Sequence, residues 1–235
     1  MQIDDIVRYF PQLHIDTNEP LRPSHIGYQI YEADHYLSIY PSPTYKRLLY
    51  FLTEITEAEV DANYIIEYSL WYDADIQHLY ELEHLWVYLD EHKKIIKIEG
   101  SRHGMIKDLK VDHAIFVEPG KHGHFQGELT ERAKKIFTDI CRNPGTGGLL
   151  GDIDAPEFRE FGTGLAKMYK TTEKDGKIRE YMARYAFEPS FDFRPYTPPN
   201  ELFVEWNVLK ELIKKELEGL LHKICDEPQT GELTF

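Results

Sequence analysis

Cysteine is scarce: Cys141 and Cys225 are the only two in 235 residues. Two cysteines build no disulfide framework, and their spacing offers no Cys-x-x-Cys metal motif. Basic side chains are also outnumbered, 27 Lys and Arg against 41 Asp and Glu, for a formal net charge of -14. A surface that grips phosphates needs clustered Lys and Arg, so nucleic-acid binding is not expected. The same excess of acid suits a protein that gathers cations. No apolar run approaches the roughly 18 residues that a membrane-spanning helix needs. The stretch MQIDDIVRYFPQLHIDTNEP lacks the basic and then apolar regions of a secretory signal, so a reducing cytoplasm is the expected setting. Neither Gly-x-Ser-x-Gly nor His-Glu-x-x-His occurs, and no Gly-Lys-Ser/Thr follows the glycine-rich stretch near residue 145. Serine-elbow hydrolases, zincins and P-loop proteins are thereby set aside.

What is present is a globular composition, 42% hydrophobic, with short β-rich runs. Strands are expected at 26–33, 35–40, 62–73, 82–90, 95–101 and 113–119, with a hairpin turn at EHKK (91–94). Residues 42–60 read as either helix or strand, and YFPQLHIDTNEPLRP is broken by prolines into an extended segment. After Gly127 the texture changes. ELTERAKKIFTDICRN has helical spacing, with Ala133, Ile136, Phe137 and Ile140 on one side. RNPGTGGLLGDIDAPEF and PSFDFRPYTPPNE read as irregular connections. Residues 202–224 read as one amphipathic helix, its stripe interrupted by Glu216, docked on its own domain. The expected whole is one mainly β domain: a jelly-roll-like sandwich over 8–126, with helical and loop additions over 127–235.

The segment HLYELEH, residues 78–84, opens a strand with two histidines and two carboxylates. Alternate strand residues share a face. Glu81 and Glu83 therefore continue the row Leu85, Val87 and Leu89, while His84, Trp86 and Tyr88 face the other way. Two carboxylates at the end of a core-facing row repel unless a cation compensates. A divalent ion meets that need, as does a nearby arginine such as Arg102. His78 can bring an imidazole to the same point, and Asp73 and Asp75 offer further oxygens. Such a donor set suits Mg, Ca or Mn and also accepts Zn. Seven of the eleven histidines fall between residues 78 and 124. Of these, His103, His122 and His124 lie in turns that follow strands and are the candidate proton carriers. Trp71, Tyr72, Tyr80 and Trp86 are read as strand packing, with a sugar-binding wall as the alternative.

Taken in order, these segments resemble the vacuolar-protein-sorting-associated family numbered sixty-two and, more distantly, the necrosis- and ethylene-inducing protein family. Both families carry His-x-x-Asp-Trp-Glu before a strand, where this chain has His78-Leu-Tyr-Glu81-Leu-Glu83, and the first follows it with a His, as His84 does. Ser101-Arg-His103-Gly104, the turn His122-Gly-His124, and Glu19-Pro in the opening segment are the other points of similarity, across about residues 8–126. The resemblance implies a β-sandwich that binds a divalent cation through His78, Glu81, Glu83 and either Asp73 or Asp75, with His103 beside the site. Glu81 in place of Asp and Leu82 in place of Trp depart from the pattern, toward a wider site or a different metal. No residue here carries over the membrane-disrupting role of the toxin family. Three functions are compatible with these readings: a metal site that binds a polar small molecule or carbohydrate, a metal-dependent hydrolase with His103 or His122 as proton shuttle, and a structural or interaction protein.

Overall fold

A computed structural model describes residues 3–32, 62–103, 105–149, 169 and 171–226. The chain forms a short helix α1 (Ile3–Tyr9), then β1 (Leu13–Asp16), β2 (His25–Glu32), β3 (Tyr64–Ala74), β4 (Leu79–Leu89), β5 (Ile95–Arg102), β6 (Met105–Leu109), β7 (Ile115–Val117) and β8 (His124–Phe125). Helices α2 (Glu131–Arg142) and α3 (Thr172–Met182) follow, then β9 (Phe193–Tyr196), β10 (Phe203–Glu205) and the long helix α4 (Trp206–Cys225). The expected strand at 35–40 and the ambiguous 42–60 lie outside the described residues.

The strands form two sheets, of order β8-β7-β1-β9 and β10-β2-β3-β4-β5-β6. In the larger, β2 through β6 is an antiparallel meander and β10 joins its edge in parallel. Leu13, Ile15, Ile115 and Val117 of the small sheet share one core with Ile66, Tyr68, Leu70, Leu85, Val87, Leu89 and Ile98 of the large one. This is a mainly β sandwich. The alternation expected for β4 holds: Leu85, Val87 and Leu89 face the inter-sheet core, while Trp86 and Tyr88 pack with Ala62 and Ile65 on the other face.

α4 lays Leu209, Ile213, Leu217, Leu221 and Ile224 into a second core with Trp71, Leu79 and α3 residues Ile178 and Met182. Gly27 allows this approach, because a Cβ there would sit 2.5 Å from Leu209 Cδ2. Among the described residues no helix is long and apolar enough to cross a membrane.

Several expectations need correction. PSFDFRPYTPPNE contains a strand: β9 pairs antiparallel with β1, and its edge position tolerates Pro195, which lacks a donor. The tail is helical only from Trp206, because Phe203–Glu205 pairs with β2 before the helix begins. The C-terminal part thus contributes a strand to each sheet. On α2 the buried residues are Phe137 and Cys141, whereas Ile136 is 47% exposed. The unforeseen α3 buries only Ile178 and Met182 and carries Gly176 mid-helix, so its periodicity is faint.

Candidate metal centre at the β3–β4 turn

The tight turn between β3 and β4 is clamped from both sides. On one side Ile76 N–H donates to Gly120 O (2.8 Å), docking the turn that spans 118–124. On the other, Gly145 N–H donates to Ile76 O (2.9 Å) and Leu79 N–H to Gly148 O (2.9 Å). Gly120 has φ +68, and a Cβ there would lie 2.9 Å from Cys141 Sγ and from Ile76 Cβ, so both conformation and space require glycine. Glu19, reaching across from the opening segment, accepts the Gly120 N–H at 2.6 Å. Burial raises the Glu19 carboxyl to about 7, against the lowering effect of its backbone donors Gly120 and Leu21.

The clamped turn brings Asp75, His78 and Glu81 together, with one ligand atom from each lying within 4.8 Å of the others. Asp75 is fully buried; its Oδ1 accepts Gln77 N–H at 2.6 Å and its Oδ2 lies 2.8 Å from Lys121 Nζ. His78 Nδ1 lies 3.2 Å from Leu79 O and 3.0 Å from Tyr80 O. Carbonyl oxygens only accept, so this geometry puts a proton on Nδ1 and turns Nε2 toward the Glu81 carboxylate, 3.7 Å away. A proton or a cation between Nε2 and the carboxylate would hold the two together favourably. A backbone acceptor on Nδ1 is also the usual arrangement behind a metal-ligating imidazole.

The carboxylates carry the corresponding strain. Burial pushes the Glu81 carboxyl up, Asp75 adding to the effect and His78 opposing it. Glu83 is pushed well above the carboxylate range, first by burial and then by the charge of Glu81. Ser101 Oγ donates to the Glu83 carboxylate while accepting His84 N–H at 2.7 Å.

Behind this group lie two buried imidazoles. His122 has φ 58 and no surface exposure, and its ring stacks on Tyr72 with centroids 3.9 Å apart and 3° between planes. Tyr72 is the cross-strand partner of Glu81, so the His122 ring sits over the strand pair that carries the cluster. Neither ring nitrogen of His122, nor the Tyr72 hydroxyl, has a hydrogen-bond partner among the described residues. Burial drives the His122 imidazole down to about 3; Asp75 opposes this, and Lys121, His78 and His124 reinforce it. His124 is likewise buried and driven to about 4 by burial, with Nδ1 donating to Ser101 O at 3.2 Å and Nε2 without a partner among the described residues.

Two candidate residues stand elsewhere. Asp73 is exposed and accepts the Ser24 hydroxyl at 3.0 Å: alternation puts it on the face opposite Tyr72 and its partner Glu81, while Asp75 lies beyond the end of β3, where the bend turns it inward. His103 is engaged by the buried Glu118 carboxylate, which also accepts Arg102 Nε at 2.7 Å. Arg102 is therefore paired with Glu118, and among the described residues the cation beside the cluster is Lys121. Lys121, which pairs with Asp75, and Glu19, which holds the 118–124 turn, support the cluster from outside it; sequence reading gave neither a role there, since neither lies in the strands that carry the acids. His84 sits on the opposite face, 3.1 Å from Glu67 and stacked on Trp86. Trp71, Tyr72, Tyr80 and Trp86 are all buried, as strand packing requires.

The fold and site together define a β-sandwich with an acidic and imidazole-bearing cluster at one end. Comparison with family models, curated proteins and solved structures finds no match for this chain.

Proposed function

We propose that the protein binds a divalent cation through Asp75, His78 and Glu81, and that the ion in turn engages a polar small molecule or carbohydrate. One observation carries the reading: His78, its ring oriented by two carbonyls at Nδ1, turns Nε2 toward Glu81 beside a buried Asp75. Two carboxylates with one neutral imidazole balance a dipositive charge and suit Ca, Mg, Mn or Zn. Asp75 forms the buried wall, whereas the His78 and Glu81 side chains are 17% and 24% exposed, so a ligand reaches the ion from their side. Both cysteines are free, in keeping with the proposed cytoplasmic setting.

The test is isothermal titration of the chelator-treated chain with divalent ions, alongside Glu81→Gln. The reading requires one ion per chain and a loss of at least about tenfold in the variant; equal affinity in both would remove it.

A second reading is favoured by His122 alone. A bound divalent ion supplies a water of lowered pKa. A neutral imidazole whose nitrogens are unpaired among the described residues can accept a hydrogen bond from that water and hold it in place, whereas His103 is already engaged by Glu118. Metal-dependent cleavage of an ester or phosphoester substrate, abolished in His122→Phe, would favour hydrolysis over binding.

A further inference from the structure

We infer that His122 is the second imidazole donor to this ion, making the site selective for zinc-like transition ions over calcium and magnesium. The inference rests on the metal-binding reading above and adds the fourth donor and the class of metal.

Glu83 is the obvious fourth donor from its place on the strand, two residues beyond Glu81. Its carboxylate is instead engaged by the Ser101 hydroxyl. His122 has no such engagement: both ring nitrogens are buried and unpaired among the described residues. Burying an imidazole without any hydrogen bond is costly, so an unpaired one calls for a partner that the described residues do not supply.

The surroundings of His122 say where that partner lies. Its neighbour Lys121 reaches Asp75 at 2.8 Å, Gly120 holds Ile76, and its own ring is stacked on the strand partner of Glu81. Asp75 and His78 are among the titratable groups that act on it. His122 is not one of the three residues whose donor atoms already converge, so its ring must turn toward them to complete the set. His124, the other buried imidazole with a free nitrogen, lies instead over β5 at Gly100 and donates to Ser101 O.

Two imidazoles with two carboxylates form a nitrogen and oxygen donor set of the kind that zinc and cobalt accept. Calcium and magnesium prefer oxygen alone. Lys121, already paired with Asp75, disfavours a second ion beside the first.

The test uses the full chain after chelation, titrated separately with Zn, Co, Ca and Mg, and compares His122→Phe with Glu83→Gln. Phenylalanine keeps the stack on Tyr72 and removes only the nitrogens. The expected result is one Zn or Co per chain, bound at least about 100-fold tighter than Ca or Mg. His122→Phe should lose most of that preference, and Glu83→Gln should stay within about threefold of the parent. Long-range nitrogen–proton NMR of the imidazoles should show His78 and His122 shifting together on Zn addition, a readout that holds even if the variant folds poorly. A chain that binds Zn equally well as His122→Phe, or prefers Ca, overturns the inference and leaves the metal site standing. A chain that binds none of the four ions removes the metal site itself.

Discussion

Glu19 shows how a single side chain can serve the site without belonging to it. Its carboxylate is 5% exposed and holds the Gly120 and Leu21 N–H groups, the first of which fixes the turn bearing His122. The folded protein holds its proton to about 7, against 4.5 for an ordinary carboxyl. The native state therefore binds more protons than the unfolded state between those values, and stability falls as pH rises through that window. At 1.36 kcal/mol per unit the loss amounts to roughly 3 kcal/mol. Glu19→Gln, which keeps an acceptor but cannot ionise, should flatten the stability profile between pH 4.5 and 7, as read by urea unfolding. His122→Phe should have the complementary effect in acid. A histidine kept neutral down to about 3 weakens the fold as pH drops below 6.5, because the unfolded chain takes up the proton first.

At the scale of elements, the turn from Glu118 to His124 and the helix α4 are the parts whose failure is most easily separated. Gly120→Ala forces a Cβ into Cys141 and Ile76 at a positive φ. It should cost about 2 kcal/mol or more and disturb the cluster, because Gly120 O is the acceptor for Ile76 N–H beside Asp75. Leu217→Ala on α4 empties a fully packed position and should cost about 2–5 kcal/mol, measurable by thermal unfolding, without loss of metal affinity. The helix and the strands bearing the site were legible in the sequence because their apolar spacing is strong. The two faces of β4 followed from alternation alone, which placed Glu81 and Glu83 on the core-facing side. Less could be read where partners come from afar. Nothing local told Asp75 from Asp73 until the hairpin bend fixed which of them turns inward. β9 was hidden by its prolines, β10 by the helix that follows it, and Lys121 by the distance in sequence from Asp75.

For the whole molecule, these titrations oppose one another where their windows overlap, between pH 4.5 and 6.5: falling pH costs stability through His122 and His124, while rising pH costs it through Glu19. A bound ion should shift this balance. It favours deprotonated Asp75 and Glu81, so added metal should stabilise most at neutral pH and least in acid. The proposed site rests on a feature no composition shows: His78, its Nδ1 on two backbone carbonyls, with Nε2 3.7 Å from the Glu81 carboxylate. The most direct measurement is the metal content of the native, dialysed chain by elemental analysis, set beside the Asp75→Asn/Glu81→Gln double variant. One divalent ion per chain in the parent and none in the folded variant is the expected result; no bound ion in the parent, or equal content in both, would contradict the account.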